Sequence, residues 1–133
     1  MSLSNSPLRS PLKKARGLGA AHHGVQHWWL QRMSALALIP LSIWFLVTLV
    51  TKLIGADRGM VGAWLGNPFV ALAMAALVIA LFVHARLGIQ VIIEDYVHSE
   101  SKKIATLLLN NVAMLVFGAM ALAAIAHLNF FGA

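Results

Sequence analysis

His84 sits where an ionisable residue is expensive. It lies within a long apolar segment of this 133-residue chain, ten residues before Glu94, where polar sequence resumes. At about 1.5 Å of rise per helical residue, that spacing puts it roughly 15 Å below the boundary. This depth is close to the midplane of a hydrocarbon layer about 30 Å thick. A titratable group there costs several kcal/mol unless it has a partner, so it is a functional candidate. A neutral imidazole has two uses at such a depth. It can give an axial nitrogen to haem iron, or a hydrogen bond of about 1 kcal/mol to a neighbouring helix. Ala76, Ala80 and Gly88 recur at four-residue spacing with His84 and share its helical face. These small side chains leave a groove for a flat ring, and a close helix–helix contact uses the same pattern.

A haem iron ligated at that depth needs a second ligand at the same level. His127 stands at the far end of a third apolar block, His98 lies beyond the second, and His22, His23 and His27 precede the first. Met114 is ten residues into the third block and at the right depth, although methionine in such a helix more often packs than ligates. The second ligand is therefore expected from another polypeptide. The chain has no cysteine, which excludes thiolate metal sites and iron–sulfur ligation by this subunit.

Four other residues have chemistry to offer. Arg86 follows His84 by two positions, about 200° around a helix, so it points away from the His84 groove and is long enough to snorkel toward the membrane surface. Arg32, at the entry to the first apolar block, suits a haem propionate or a polar quinone group; a lipid-headgroup anchor is the plainer use. Asp95 and Tyr96 stand where the second block reaches the interface. A tyrosine hydroxyl can donate to a quinone carbonyl, and a neighbouring acid can orient it or relay protons. Taken without context, the pair is equally an interfacial aromatic beside a solvated carboxylate.

The elements that must position these residues follow from composition. Hydrophobic residues make up 60% of the chain and charged residues only 11%, against about 25% charged in a soluble domain. The expected fold is all-α and membrane-integral, with three spans at about 33–54, 68–93 and 104–127. Residues 1–32 form a basic tail and 128–133 a short end. Pro40 falls inside the first span, which membrane helices tolerate where neighbours satisfy the freed carbonyl. Residues 55–67, with Gly55, Gly59, Gly62 and Gly66, read as a loop, and Pro68 suits the first turn of the next helix.

The net charge of +6 reflects topology rather than nucleic-acid binding. Arg9, Lys13, Lys14, Arg16, Arg32, Lys102 and Lys103 fall on one side of the membrane, and only Lys52 and Arg58 on the other. By the positive-inside rule the amino terminus is cytoplasmic and the carboxyl terminus periplasmic. Trp28, Trp29, Trp64 and Tyr96 lie near the boundaries, as interfacial aromatics do. The basic, acid-free start is a cytoplasmic tail; a mitochondrial presequence is the weaker reading. A transporter component would show intramembrane acids or broken helices, and the spans contain no acid.

The run His84-Ala85-Arg86-Leu87-Gly88-Ile89-Gln90-Val91-Ile92-Ile93-Glu94-Asp95-Tyr96-Val97 resembles the second-helix motif of the small hydrophobic anchor of succinate dehydrogenase. That motif has a haem-ligating His, a Gly four residues on, and an Asp-Tyr pair ending twelve residues after the His. His27-Trp28-Trp29-Leu30-Gln31-Arg32 resembles the family's entry into its first span, and the likeness covers about residues 24–127. It implies half of a two-subunit haem-binding bundle in succinate:quinone oxidoreductase, respiratory complex II. A flavoprotein subunit oxidises succinate and an iron–sulfur subunit passes the electrons to ubiquinone. A larger cytochrome b anchor supplies the second ligand of a shared haem b. The resemblance makes His84 the axial ligand, Tyr96 and Asp95 the quinone residues, and Arg32 a propionate partner. It implies no succinate-oxidising site in this chain. The expected location is a bacterial inner membrane, more than a mitochondrial one. A fumarate reductase anchor shares the outline, and a haemless structural or transporter subunit is the alternative from another class.

Overall fold

The computed structural model describes residues 22–132. The basic positions Arg9, Lys13, Lys14 and Arg16, on which part of the topology argument rests, lie outside the described residues. Among the described residues four α-helices follow one another. α1 spans His22–Thr48 and runs on through a wider π-helical turn at Leu49–Leu53. α2 is Arg58–Leu65, α3 is Pro68–Tyr96 and α4 is Glu100–Phe131. α1, α3 and α4 are each long and apolar enough to cross a membrane, and the described residues contain no strand.

Each long helix outruns the apolar block that announced it. α1 begins eleven residues before Met33, α3 continues to Tyr96, and α4 extends from Glu100 to Phe131. Hydropathy marks where side chains meet lipid. The backbone ladder stops only where a breaker or a cap stops it. Nothing between His22 and Met33 does so: Gly24 weakens a helix by about 1 kcal/mol but does not end it. Pro40 is likewise carried within α1.

The connection expected to be irregular contains α2. Asp57 caps it, its carboxylate accepting from the Met60 amide at 2.8 Å. Such a cap is worth about 1 kcal/mol and offsets part of the cost of Gly59 and Gly62 inside the helix. Tertiary contacts hold the rest. Trp64 stacks on Trp44 of α1, with centroids 6.0 Å apart. Leu65 is buried, and its carbonyl accepts from the Asn129 amide of α4 at 2.8 Å. Gly55, at φ 80°, makes the turn from α1 with a backbone that L residues rarely adopt. Asn67 opens α3 by accepting from the Phe69 amide at 2.9 Å, with Pro68 in the first turn.

α3 is the middle helix, packed against both α1 and α4. Gly118 of α4 brings the second pair close: a Cβ there would lie 3.4 Å from the Phe82 ring. Asn110, 7% exposed, donates to the Arg86 carbonyl of α3 at 3.0 Å. Among the described residues the apolar interior consists of Leu65, Ala71, Leu77, Ala80 and Leu87, whereas large apolar side chains along all three long helices are exposed. In a lipid environment that exterior is the expected one.

Candidate functional site

His84 lies on the side of α3 that faces α1. Its Nδ1 is 3.2 Å from the Ser34 hydroxyl oxygen and 3.3 Å from the Gln31 carbonyl oxygen. The Ser34 hydroxyl itself donates to that same carbonyl, at 2.9 Å. With the hydroxyl proton so engaged, both atoms facing Nδ1 are acceptors. In the neutral ring Nδ1 therefore carries the proton, and Nε2 keeps its lone pair. No hydrogen bond among the described residues engages Nε2. This is how a ligating imidazole is held, the second nitrogen fixing tautomer and ring angle from behind. Ser34 is 8% exposed, so the contact is set by packing and not by a mobile surface side chain.

A cavity of about 250 Å³ opens beside His84, bounded by Trp28, Gln31, Arg32 and Ala35 of α1. Arg32 and His84 thus share one space, and the Arg32 guanidinium rests 4.3 Å from the Trp28 ring centroid. A cation stacked on an aromatic face keeps its edge donors for an anion. A second cavity, about 420 Å³, adjoins it through Trp28 and Gln31 and is lined also by His27, Gln90 and Glu94. Gln90 donates to Glu94 at 2.8 Å across its wall.

The small-residue stripe divides its work. Ala80 is buried, and the open side of Gly88 lies 3.9 Å from the Gln31 side-chain amide, so part of the stripe accommodates α1. Ala76 remains exposed. The residues of the stripe do not form one continuous open groove on this chain. Met114 lines a different cleft, between α3 and α4, together with Arg86. Arg86 points where its 200° offset predicts, donating from Nε to Asn111 of α4 at 2.7 Å.

Asp95 and Tyr96 end α3, and both are exposed, Tyr96 to 79%. The Tyr96 carbonyl lies 3.1 Å from His98 Nδ1. Neither side chain is enclosed by this chain. Sequence reasoning passed over Ser34, Gln31, Gln90 and Glu94. The available signal was polar residues repeating near one helix end, at 27 and 31 on α1 and at 90 and 94 on α3. Their pairing across helices requires the tertiary contact.

Comparison with known proteins agrees with this architecture. Residues 6–126 match the family model described as succinate dehydrogenase/fumarate reductase transmembrane subunit. The succinate dehydrogenase hydrophobic membrane anchor subunit of Paracoccus denitrificans is 40% identical over 96 residues, covering 72% of this chain and 74% of the relative. The subunit of the same description from Rickettsia bellii is 38% identical over 90 residues, covering 67% and 70%. The succinate dehydrogenase membrane anchor subunit of Reclinomonas americana is 33% identical over 91 residues, covering 67% and 76%.

Proposed function

From the chain's membership of the succinate dehydrogenase/fumarate reductase transmembrane subunit family, we propose that it anchors a succinate dehydrogenase to the membrane, ligates a shared haem b through His84 and contributes to a quinone pocket. The observation that carries the haem assignment is the hold on His84. Ser34 and Gln31 keep the proton on Nδ1, Nε2 has no hydrogen-bond partner among the described residues, and His84 lines a cavity together with Arg32. The donor set suits a b-type haem: one neutral imidazole for the iron and one guanidinium for a propionate. When bound, that group would supply a one-electron redox centre.

The rest of the mechanism belongs to this chain's own side chains. His84 is oriented from behind by the Ser34 hydroxyl and the Gln31 carbonyl, which also strengthens it as a base toward a metal. Arg32 lowers the cost of an anionic group brought below the headgroups. The Tyr96 hydroxyl donates to a quinone carbonyl, and Asp95 orients it and exchanges protons with water. Both are exposed here, so the pocket is completed by neighbouring subunits. A second protein ligand for that group would come from the larger cytochrome b anchor, because Met114 opens on another cleft. Succinate oxidation belongs to the flavoprotein, with the iron–sulfur subunit carrying electrons to ubiquinone. The charge asymmetry across the spans supports a cytoplasmic amino terminus in a bacterial inner membrane.

The decisive test is a reduced-minus-oxidised optical spectrum of the purified complex, wild type against His84→Ala, with subunit composition confirming assembly. A b-type signal lost or strongly altered in the variant is the expected outcome. An unchanged haem spectrum removes His84 from the site. No haem in the wild type leaves a haemless anchor.

A further inference from the structure

On the side of α3 turned away from His84, an arginine and an apolar cleft stand together without an assigned role. Arg86 is exposed, yet it lies eight residues inside Glu94, about 12 Å along the helix. The chain's four acids are Asp57, Glu94, Asp95 and Glu100, and the nearest to Arg86 along the chain, Glu94, accepts from Gln90. Its Nε is committed to Asn111 at 2.7 Å. The Asn111 bond orients the guanidinium and leaves the two terminal nitrogens, a fork whose geometry matches a phosphate. A cation held at this depth in lipid is costly without an anionic partner.

The cleft between α3 and α4 runs from Arg86 toward the membrane interior. Val78 and Phe82 form one wall, and Met114, Ala119 and Leu122 the other, around about 240 Å³. Val78 is eight residues from Arg86, so the trough follows the helices for about 12 Å. Apart from Arg86 and Asn111 at its mouth, its lining is apolar throughout. Gly118 lets the helices approach at its floor, with Phe82 3.4 Å from where a Cβ would stand. Lys102 and Lys103 in the first turn of α4 stand toward that surface together with Glu94, Asp95 and Glu100, so the unbalanced charge at the cleft is that of Arg86 itself.

We infer that this cleft is a binding site for an anionic phospholipid of the leaflet where α1 begins and α3 ends, its phosphate on Arg86 and an acyl chain in the trough. Charge complementarity selects this occupant. A quinone brings a neutral head group and leaves the arginine unpaired, and a neighbouring helix would have to bring its own buried acid. The inference rests on the membrane placement of the chain and not on the haem assignment.

The test uses the whole complex, stripped of lipid in detergent and then offered phosphatidylglycerol or phosphatidylcholine at equal concentration, with bound lipid counted by native mass spectrometry. Haem spectrum and subunit composition serve as assembly controls. Wild type is expected to retain phosphatidylglycerol in preference to phosphatidylcholine. Arg86→Gln is expected to weaken that retention by about tenfold, the loss of a charge-assisted phosphate contact. Ala119→Trp fills the trough with Arg86 intact and is expected to reduce retention as well; it decides the matter alone if Arg86→Gln does not assemble. Equal retention of the two lipids by wild type reduces the cleft to ordinary lipid solvation and overturns the inference. So does phosphatidylglycerol binding that neither variant changes, or a quinone or a second polypeptide found occupying the cleft.

Discussion

The imidazole of His84 is defined by its neighbours more than by its depth. One acceptor on Nδ1 is a backbone carbonyl, which no side-chain substitution removes; the other is the Ser34 hydroxyl at 3.2 Å. Ser34→Ala is therefore expected to loosen the ring without freeing it. Haem affinity should fall by about tenfold, at the mild end for an outer-shell partner, and the haem midpoint potential should move with it. Ser34→Thr keeps the hydroxyl and should restore both. Haem titration of the stripped complex, with a potentiometric titration of the reconstituted one, reads the two quantities. Identical values in wild type and Ser34→Ala would separate Ser34 from the site. As a candidate, His84 was legible in the chain, because an ionisable residue amid apolar sequence is rare whatever packs around it. Ser34 was not, since a serine within a membrane span ordinarily bonds its own backbone, as Ser34 also does to Gln31 at 2.9 Å.

Between elements, polar groups provide the register that apolar packing leaves loose. Lipid tails are as apolar as leucine, so burial alone distinguishes poorly between sliding positions of two membrane helices. The Asn110 amide on the Arg86 carbonyl and the Asn111 amide oxygen on Arg86 Nε cross the α3–α4 contact from adjacent positions, at 3.0 and 2.7 Å. Asn110→Leu should cost about 1 kcal/mol, the usual value for an interhelical hydrogen bond in a membrane protein. A lowered thermal midpoint of the detergent-solubilised complex would register it; no change would mean that the Asn111–Arg86 bond and the Gly118–Phe82 contact suffice to hold the pair. α2 shows a different limit on reading a chain. Its glycines signal a loop, and the helix persists because Asp57 caps it while Trp44 and Asn129 hold it from α1 and α4. Two of these three supports come from distant sequence.

At the scale of the molecule, charge and apolar length speak to placement. With Arg32, Lys102 and Lys103 toward one surface and Lys52 and Arg58 toward the other, the proposed orientation has a direct check. Alkaline phosphatase fused after Ala133 should be active, and green fluorescent protein fused there dark; the reverse result would invert the topology. The apolar surface has a second consequence. Few apolar side chains are buried within the chain, so lipid and companion subunits must cover the rest. The number of spans could be read from the sequence alone, because bilayer thickness imposes a length on any apolar helix. The resemblance to anchor subunits was legible for the same local reason, its motif being contained in one helix. Only the tertiary structure decided which faces meet. It put Ser34 behind His84, opened Arg32 onto the same cavity, turned Met114 to the opposite cleft with Arg86 and folded α2 into the connection. These outcomes depend on contacts between residues about 20 to 65 positions apart, which helical periodicity cannot encode, because it fixes the face of each helix but not the neighbour that face will find.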